Sequence, residues 1–207
     1  MKNILIGILF LSQTACGQQG TVDEEVPVNA VYDTLTVGAG CFWCVEAPFE
    51  HLHGVTDVQA GYAGGTVANP SYELVCTGTT GHSEAVRVVY DTNRVSYATL
   101  LEVFFGVHDP TQLNRQGADF GTQYRSVIFY RNESERLLAS KIIEELDASG
   151  AFSDKIVTKL EPMGPFYAAE NYHQDYFVNN AEAPYCKFVI QPKMDKFQMV
   201  FQKYLKQ

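Results

Sequence analysis

The sequence predicts one domain built as a two-layer α/β or α+β sandwich. Three observations carry this. Short β-branched runs alternate with segments of helical period. Glycine-containing turns separate them. The chain has 207 residues, 46% of them apolar, which suits one buried core. Residues 34–37 read as a strand running into Gly38-Ala39-Gly40, and residues 55–62 as a second strand ending in Ala63-Gly64-Gly65. A third strand, 84–90, is followed by Asp91-Thr92-Asn93. Ser96 can cap a helix that presents Leu100, Leu101, Phe104 and Phe105. Residues 126–130 form a fourth strand, and a helix around Leu137, Leu138, Ile142, Ile143 and Leu146 closes at Gly150. Residues 156–160 are expected as a fifth strand. Residues 193–206 are expected as a final helix with Met194, Phe197, Phe201, Tyr204 and Leu205 packed inward.

The segment before this body has a different character. Lys2 precedes an apolar run, 4–11, far shorter than the ~20 residues of a spanning helix. Ser12, Gln13, Thr14 and Ala15 then lead to Cys16. Residues 1–15 therefore read as an export signal. The Ala15-Cys16 junction resembles the bacterial lipoprotein signal, in which the cysteine is acylated and becomes the first residue. Gln13 stands where that pattern usually has an aliphatic residue. Residues 16–31 are a polar tether, and the body spans 32–207. An exported protein held in the periplasm or at the cell surface by a lipid anchor is the expectation.

A formal charge of −9 without a basic stripe argues against a nucleic-acid partner. Five cysteines are too sparse for a disulfide scaffold. The informative stretch is Gly38-Ala39-Gly40-Cys41-Phe42-Trp43-Cys44, where a strand gives way to glycines and then to a helix. A thiol at a helix start meets unpaired N–H groups and the positive end of the dipole, both of which favour thiolate. Pro48 means that the helix either starts nearer Val45 or is kinked. Cys41-x-x-Cys44 could also be an exchanging dithiol, though the thioredoxin-like motif carries its aromatic before the first cysteine. Zinc needs a second ligand pair, which Cys76, His82 and Cys186 do not supply. Haem attachment needs His where Val45 stands. No metal or organic cofactor is expected.

Gly40-Cys41-Phe42-Trp43 resembles the signature of peptide methionine sulfoxide reductase A. Four further blocks agree: Gly61-Tyr62-Ala63-Gly64-Gly65 with Asn69-Pro70-Ser71-Tyr72, Thr80-Gly81-His82-Ser83-Glu84, His108-Asp109-Pro110-Thr111-Gln112 leading to the stretch 117–125, and the stretch 167–174. The resemblance covers roughly residues 34–190. It implies an α+β two-layer sandwich with a ferredoxin-like core, extended at both ends, and a monomer. It makes Cys41 the nucleophile, Glu84, Tyr72 and Tyr124 the groups that hold and protonate the sulfoxide oxygen, and Asp119 a polar support. Phe42 and Trp43 become the pocket for the methyl group. A carboxyl kept protonated by burial is a suitable acid for this chemistry.

Singly, each of these residues has an ordinary reading: a solvated strand end for Glu84, a turn residue for Asp119, surface phenols for Tyr72 and Tyr124. His82, His108 and His173 are expected to make structural hydrogen bonds, with His173 close to the site. Cys76 is expected to be buried and inert. The implied activity is reduction of methionine sulfoxide, of the S epimer, in proteins and peptides. A Cys41 sulfenic acid would form, then an intramolecular disulfide, then reduction by a thioredoxin-type dithiol. Cys186 resembles the first of the family's tail cysteines and is favoured as the resolving thiol, with Cys44 as alternative or relay. Two rival readings are an extracytoplasmic dithiol–disulfide oxidoreductase using Cys41 and Cys44, and a non-catalytic module that binds Met-rich or oxidised surfaces.

Overall fold

A computed structural model describes residues 29–206. The expected export signal, Cys16 and most of the tether lie outside the described residues. The first strand, β1 (Tyr32–Ala39), leads through Gly40 and Cys41 into α1 (Phe42–Glu50). Next come β2 (Val55–Ala63), the short α2 (Tyr72–Cys76), β3 (Ser83–Asp91) and α3 (Tyr97–Val107). A two-residue hairpin, β4 (Arg115–Gln116) and β5 (Asp119–Phe120), precedes β6 (Ser126–Tyr130). The chain continues through α4 (Glu133–Ser149), β7 (Lys159–Pro162), β8 (Phe166–Ala168), α5 (Tyr176–Asn179) and α6 (Gln191–Val200).

Six strands form one mixed sheet in the order β7-β6-β1-β3-β2-β8. Every neighbouring pair is antiparallel except β6 and β7. Strand side chains alternate between faces. On one face Leu35 and Val37 of β1 and Val86 and Val88 of β3 join Phe42 and Phe49 of α1 and Leu100, Leu101 and Phe104 of α3 in one buried core. The other face carries a small cluster of Ala63, Ala85, Val127 and Phe129. This parity sets Glu84 on the helix-facing side, in line with Val86 and Val88.

The expected caps are present. Ser96 Oγ accepts the Thr99 N–H at 3.0 Å at the start of α3, and α4 ends at Gly150 with φ 65°. Four expectations are corrected. Helix α1 starts at Phe42 rather than nearer Val45 and holds Pro48 in its last turn, after which the bonds tighten to His51 N–H on the Pro48 carbonyl and Leu52 N–H on that of Phe49. The fifth strand begins at Lys159 rather than at 156. The Ile156 N–H is taken by Asp147 Oδ1 at 2.9 Å and the Val157 N–H by the Pro110 carbonyl at 2.9 Å, so neither can join the ladder. The last helix spans Gln191–Val200 and gives way at Phe201 to a 3₁₀ turn, Gln202–Tyr204. There the chain bends so that Leu205 bridges to Leu52 and the Tyr204 hydroxyl donates to Glu102 at 2.8 Å. Finally, Cys76 is exposed, since only Val75 of the short α2 is buried. The short elements α2, α5, β8 and the hairpin have too few residues to show a period in the sequence.

Candidate active site

The site lies where β1 ends and β3 begins. The pairing of Val37 with Val86 and of Ala39 with Ser126 brings the starts of β3 and β6 beside the end of β1. Gly40 then turns the chain at φ 92°, where a side chain would be strained and a Cβ would lie 2.6 Å from Gln116. Cys41 follows as the N-cap of α1 and is buried, as is Phe42. The Phe42 N–H, one of the unpaired amides of the helix start, donates to Glu84 Oε2 at 3.0 Å.

The electrostatics differ from those expected at Cys41. Burial, the neighbouring Cys44 thiol and the Glu84 carboxyl push the Cys41 thiol well above its ordinary value, which outweighs the helix start. Glu84 is 1% exposed, and burial lifts its carboxyl to about 8 against the pull of the Phe42 N–H, with Asp119 and Cys44 raising it further. It is therefore an acid that keeps its proton at neutral pH. Burial and then the nearby Glu84 charge push both Tyr72 and Tyr124 up, which keeps two phenols as proton-bearing donors beside that carboxyl.

Trp43, half-buried, forms a wall of the site. It stacks on Tyr176 with ring centroids 3.6 Å apart and an interplanar angle of 7°, and its indole N–H donates to His173 Nδ1 at 3.2 Å. Phe42 stacks on Tyr72 at 6.3 Å. His82 and His108 make structural hydrogen bonds, to Gly65 and Val67 and to Phe104 and Ser126 respectively.

Asp119 is more than a turn residue: its Oδ2 accepts the Tyr185 hydroxyl at 3.0 Å. Tyr185 Oη also lies 3.6 Å from Cys44 Sγ and so joins the hairpin to the thiol pair. The neighbouring Cys41 thiol and then Lys193 hold the Cys44 thiol down, to about 6, against its burial. Cys186 begins a π-helical turn, Cys186–Ile190, and is wholly buried. Tyr72, Tyr124, Glu84, Asp119, Phe42, Trp43, Cys41 and Cys44 thus gather at one end of the sheet. Sequence reasoning missed Tyr185, Tyr176 and Glu170. The nearest signals were the position of Tyr185 directly before Cys186 and that of Glu170 in the stretch 167–174. Among the described residues no group of three or more His, Cys, Asp and Glu is disposed to hold a metal ion.

The family model described as peptide methionine sulfoxide reductase matches residues 33–205. The chain belongs to the peptide methionine sulfoxide reductase family. It is 52% identical over 168 residues to peptide methionine sulfoxide reductase MsrA of Natronomonas pharaonis, covering 81% of this chain and 94% of that relative. It is 54% identical over 160 residues to the MsrA of Nautilia profundicola, covering 77% and 91%. Among solved structures, Mxr1 of Saccharomyces cerevisiae in reduced form superposes with a TM-score of 0.68 at 34% identity, over 75% of this chain and 89% of that one. Methionine sulfoxide reductase A of Corynebacterium diphtheriae gives 0.65 at 37%, over 73% and 76%. The reductase therefore has the mixed α+β fold of its relatives and reduces methionine sulfoxide to methionine. The dithiol–disulfide oxidoreductase reading is not favoured by these likenesses.

Proposed function

We propose that the reductase works through Cys41 as nucleophile and Glu84 as general acid, on the S epimer of methionine sulfoxide in proteins and peptides. The observation that carries this reading is a buried Glu84 bonded to the first amide after Cys41, its carboxyl lifted by burial to about 8. The Cys41 sulfur attacks the sulfoxide sulfur while the sulfoxide oxygen takes the Glu84 proton, with Tyr72 and Tyr124 donating hydrogen bonds to that oxygen. The Cys41 S–H proton replaces the one Glu84 gave. The transient bond between the two sulfurs and the S–O bond of the substrate break as the hydroxyl passes to Cys41 to give a sulfenic acid, and methionine leaves. Phe42 and Trp43 enclose the methyl group and exclude water, and Asp119 holds Tyr185 over the thiols.

A second thiol then attacks the sulfenic sulfur, water leaves, and a disulfide forms. Of the two candidates, the observations favour Cys44. Its thiol is held down by the neighbouring Cys41 thiol and by Lys193, and residues three apart at a helix start lie at roughly disulfide-compatible spacing, ~5–6 Å. Cys186, buried beside it, takes the disulfide next by exchange. A thioredoxin-type dithiol supplies the two electrons that complete the cycle. The reductase acts as an exported monomer anchored through acylated Cys16, a reading supported by the apolar run 4–11 and the Ala15-Cys16 junction. The test is incubation of the protein with dithiothreitol and peptide-bound methionine sulfoxide, followed by quantitation of methionine. Production is expected in the wild type and none in Cys41→Ser. Equal production by both proteins would remove Cys41 from the reaction.

A further inference from the structure

We propose that Glu170 is a positioning residue for this reaction, holding Tyr72 and Trp43 in register through one carboxylate. The inference rests on the roles proposed above for those two residues. Glu170 Oε1 accepts the backbone N–H of Tyr72, the first residue of α2, at 2.9 Å. Its Oε2 accepts the Tyr62 hydroxyl at 2.8 Å and faces His173 Nε2 at 3.8 Å. The opposite ring nitrogen of His173 accepts the indole N–H of Trp43. Glu170 and His173 sit three residues apart on the N-cap and last residue of one 3₁₀ turn, Asn171–His173, which fixes their spacing.

The tautomer of His173 is the link. The ring is 1% exposed and wedged against Phe42, Trp43 and Tyr72, with centroids 5.0, 5.5 and 4.4 Å away. Burial favours the neutral ring, which bears one proton. Nδ1 must accept from Trp43, so the proton lies on Nε2. That nitrogen has no hydrogen-bond partner among the described residues, and Glu170 is the acid that faces it. Burial raises Glu170, but the Tyr72 N–H and the Tyr62 hydroxyl outweigh it and keep the carboxylate ionised. A negative charge there favours N–H at Nε2 and leaves Nδ1 free to accept. With that charge removed, the proton can move to Nδ1, where it would meet the Trp43 N–H head-on. The first amide of α2 would lose its acceptor in the same event.

Trp43 is the single tryptophan of the chain, so one indole ¹H–¹⁵N resonance reports its hydrogen bond. The experiment measures kcat, KM and this resonance in Glu170→Ala, Glu170→Gln and Tyr62→Phe, with Tyr72→Phe and Trp43→Phe as benchmarks. Glu170→Ala is expected to shift the resonance, lower kcat and raise KM, together by ~10²-fold, the usual effect of misplacing reacting groups by about 1 Å. Glu170→Gln keeps an oxygen for the Tyr72 N–H but turns an amide toward His173. It is expected to recover kcat while leaving KM high and the resonance shifted. Tyr62→Phe is expected to leave the resonance unshifted. A folded Glu170→Gln with wild-type resonance and wild-type KM would overturn the proposal, as would a Glu170→Ala whose only change is a lower melting temperature. Full activity in both benchmark variants would instead remove the roles on which it rests.

Discussion

The backbone N–H of Phe42 donates to Oε2 of Glu84 at 3.0 Å, which ties the first residue of α1 to the second residue of β3 directly beside the Cys41 thiol. A bond of this kind stabilises a charged carboxylate. Burial works the other way and wins, lifting the group to about 8. The reductase thus holds a carboxylic acid beside Cys41, where the proposed reaction calls for a proton donor, and holds it by a main-chain contact.

A pH dependence follows from this. The proton donor is present below about 8 and is lost as pH rises through that value, so the single-turnover rate of methionine formation is expected to fall over that range. Cys41 titrates higher still, so its ionisation does not mask the fall. The same group makes folding stability pH-dependent: its contribution is fully present below its ordinary 4.5 and is lost as pH climbs to about 8. Rapid-quench measurements from neutral to alkaline pH check the first statement, and a pH series of urea melts checks the second. A single-turnover rate that stayed flat across about 8 would contradict this assignment.

The order of thiol steps is tested by disulfide mapping. One equivalent of methionine sulfoxide is expected to leave a Cys41–Cys44 bond in Cys186→Ser, formed at the wild-type rate. In Cys44→Ser the sulfenic acid should persist longer before any bond to Cys186 forms. Peptide mapping by mass spectrometry after trapping free thiols distinguishes the two. A Cys41–Cys186 bond formed at full rate in Cys44→Ser would reverse the order.

The C-terminal segment is clamped by a close contact. A Cβ at Gly106 of α3 would lie 2.3 Å from the Phe201 ring. Gly106→Ala is therefore expected to destabilise the fold by ~1–3 kcal/mol, as overpacking does, despite the better helix propensity of Ala. Phe201→Leu in the same chain should recover part of the loss. Equilibrium unfolding of the two single variants and the double variant gives the coupling.

Anchoring is tested at Cys16. The wild type is expected to partition with membranes into detergent, and Cys16→Ala to be released or left unprocessed. Mass spectrometry of the mature N-terminus reads this directly, and a first residue other than lipid-modified Cys16 would exclude the anchor.

The elements legible in the sequence are those whose determinants lie a few residues apart. Ser96 meets Thr99 across one turn, and the period of Leu100, Leu101 and Phe104 marks the buried face of α3. The site was legible where a motif is local, as at Cys41, Phe42 and Trp43. What escaped depends on distant partners. Glu170 works through Tyr62 and Tyr72, which lie 108 and 98 residues away, and Tyr185 through Asp119, which lies 66 away. No local pattern encodes such a contact. Cys76 and the Cys41 thiol were misread for a related reason, because burial is set by what the finished fold lays over a residue. The parity of β3, with Glu84 in step with Val86 and Val88, is the local signal that agrees with the buried carboxyl the resemblance implied.

The most direct test of the account is the single-turnover rate of Glu84→Gln at neutral pH. Gln keeps the shape and an oxygen for the Phe42 N–H, so the variant should fold with wild-type stability or better. It carries no acidic proton, so methionine formation should slow by ~10²–10⁴-fold, the usual contribution of general acid catalysis. The descending limb near about 8 should vanish with it. A Glu84→Gln enzyme that forms methionine at close to the wild-type rate would contradict the claim that this carboxyl delivers the proton.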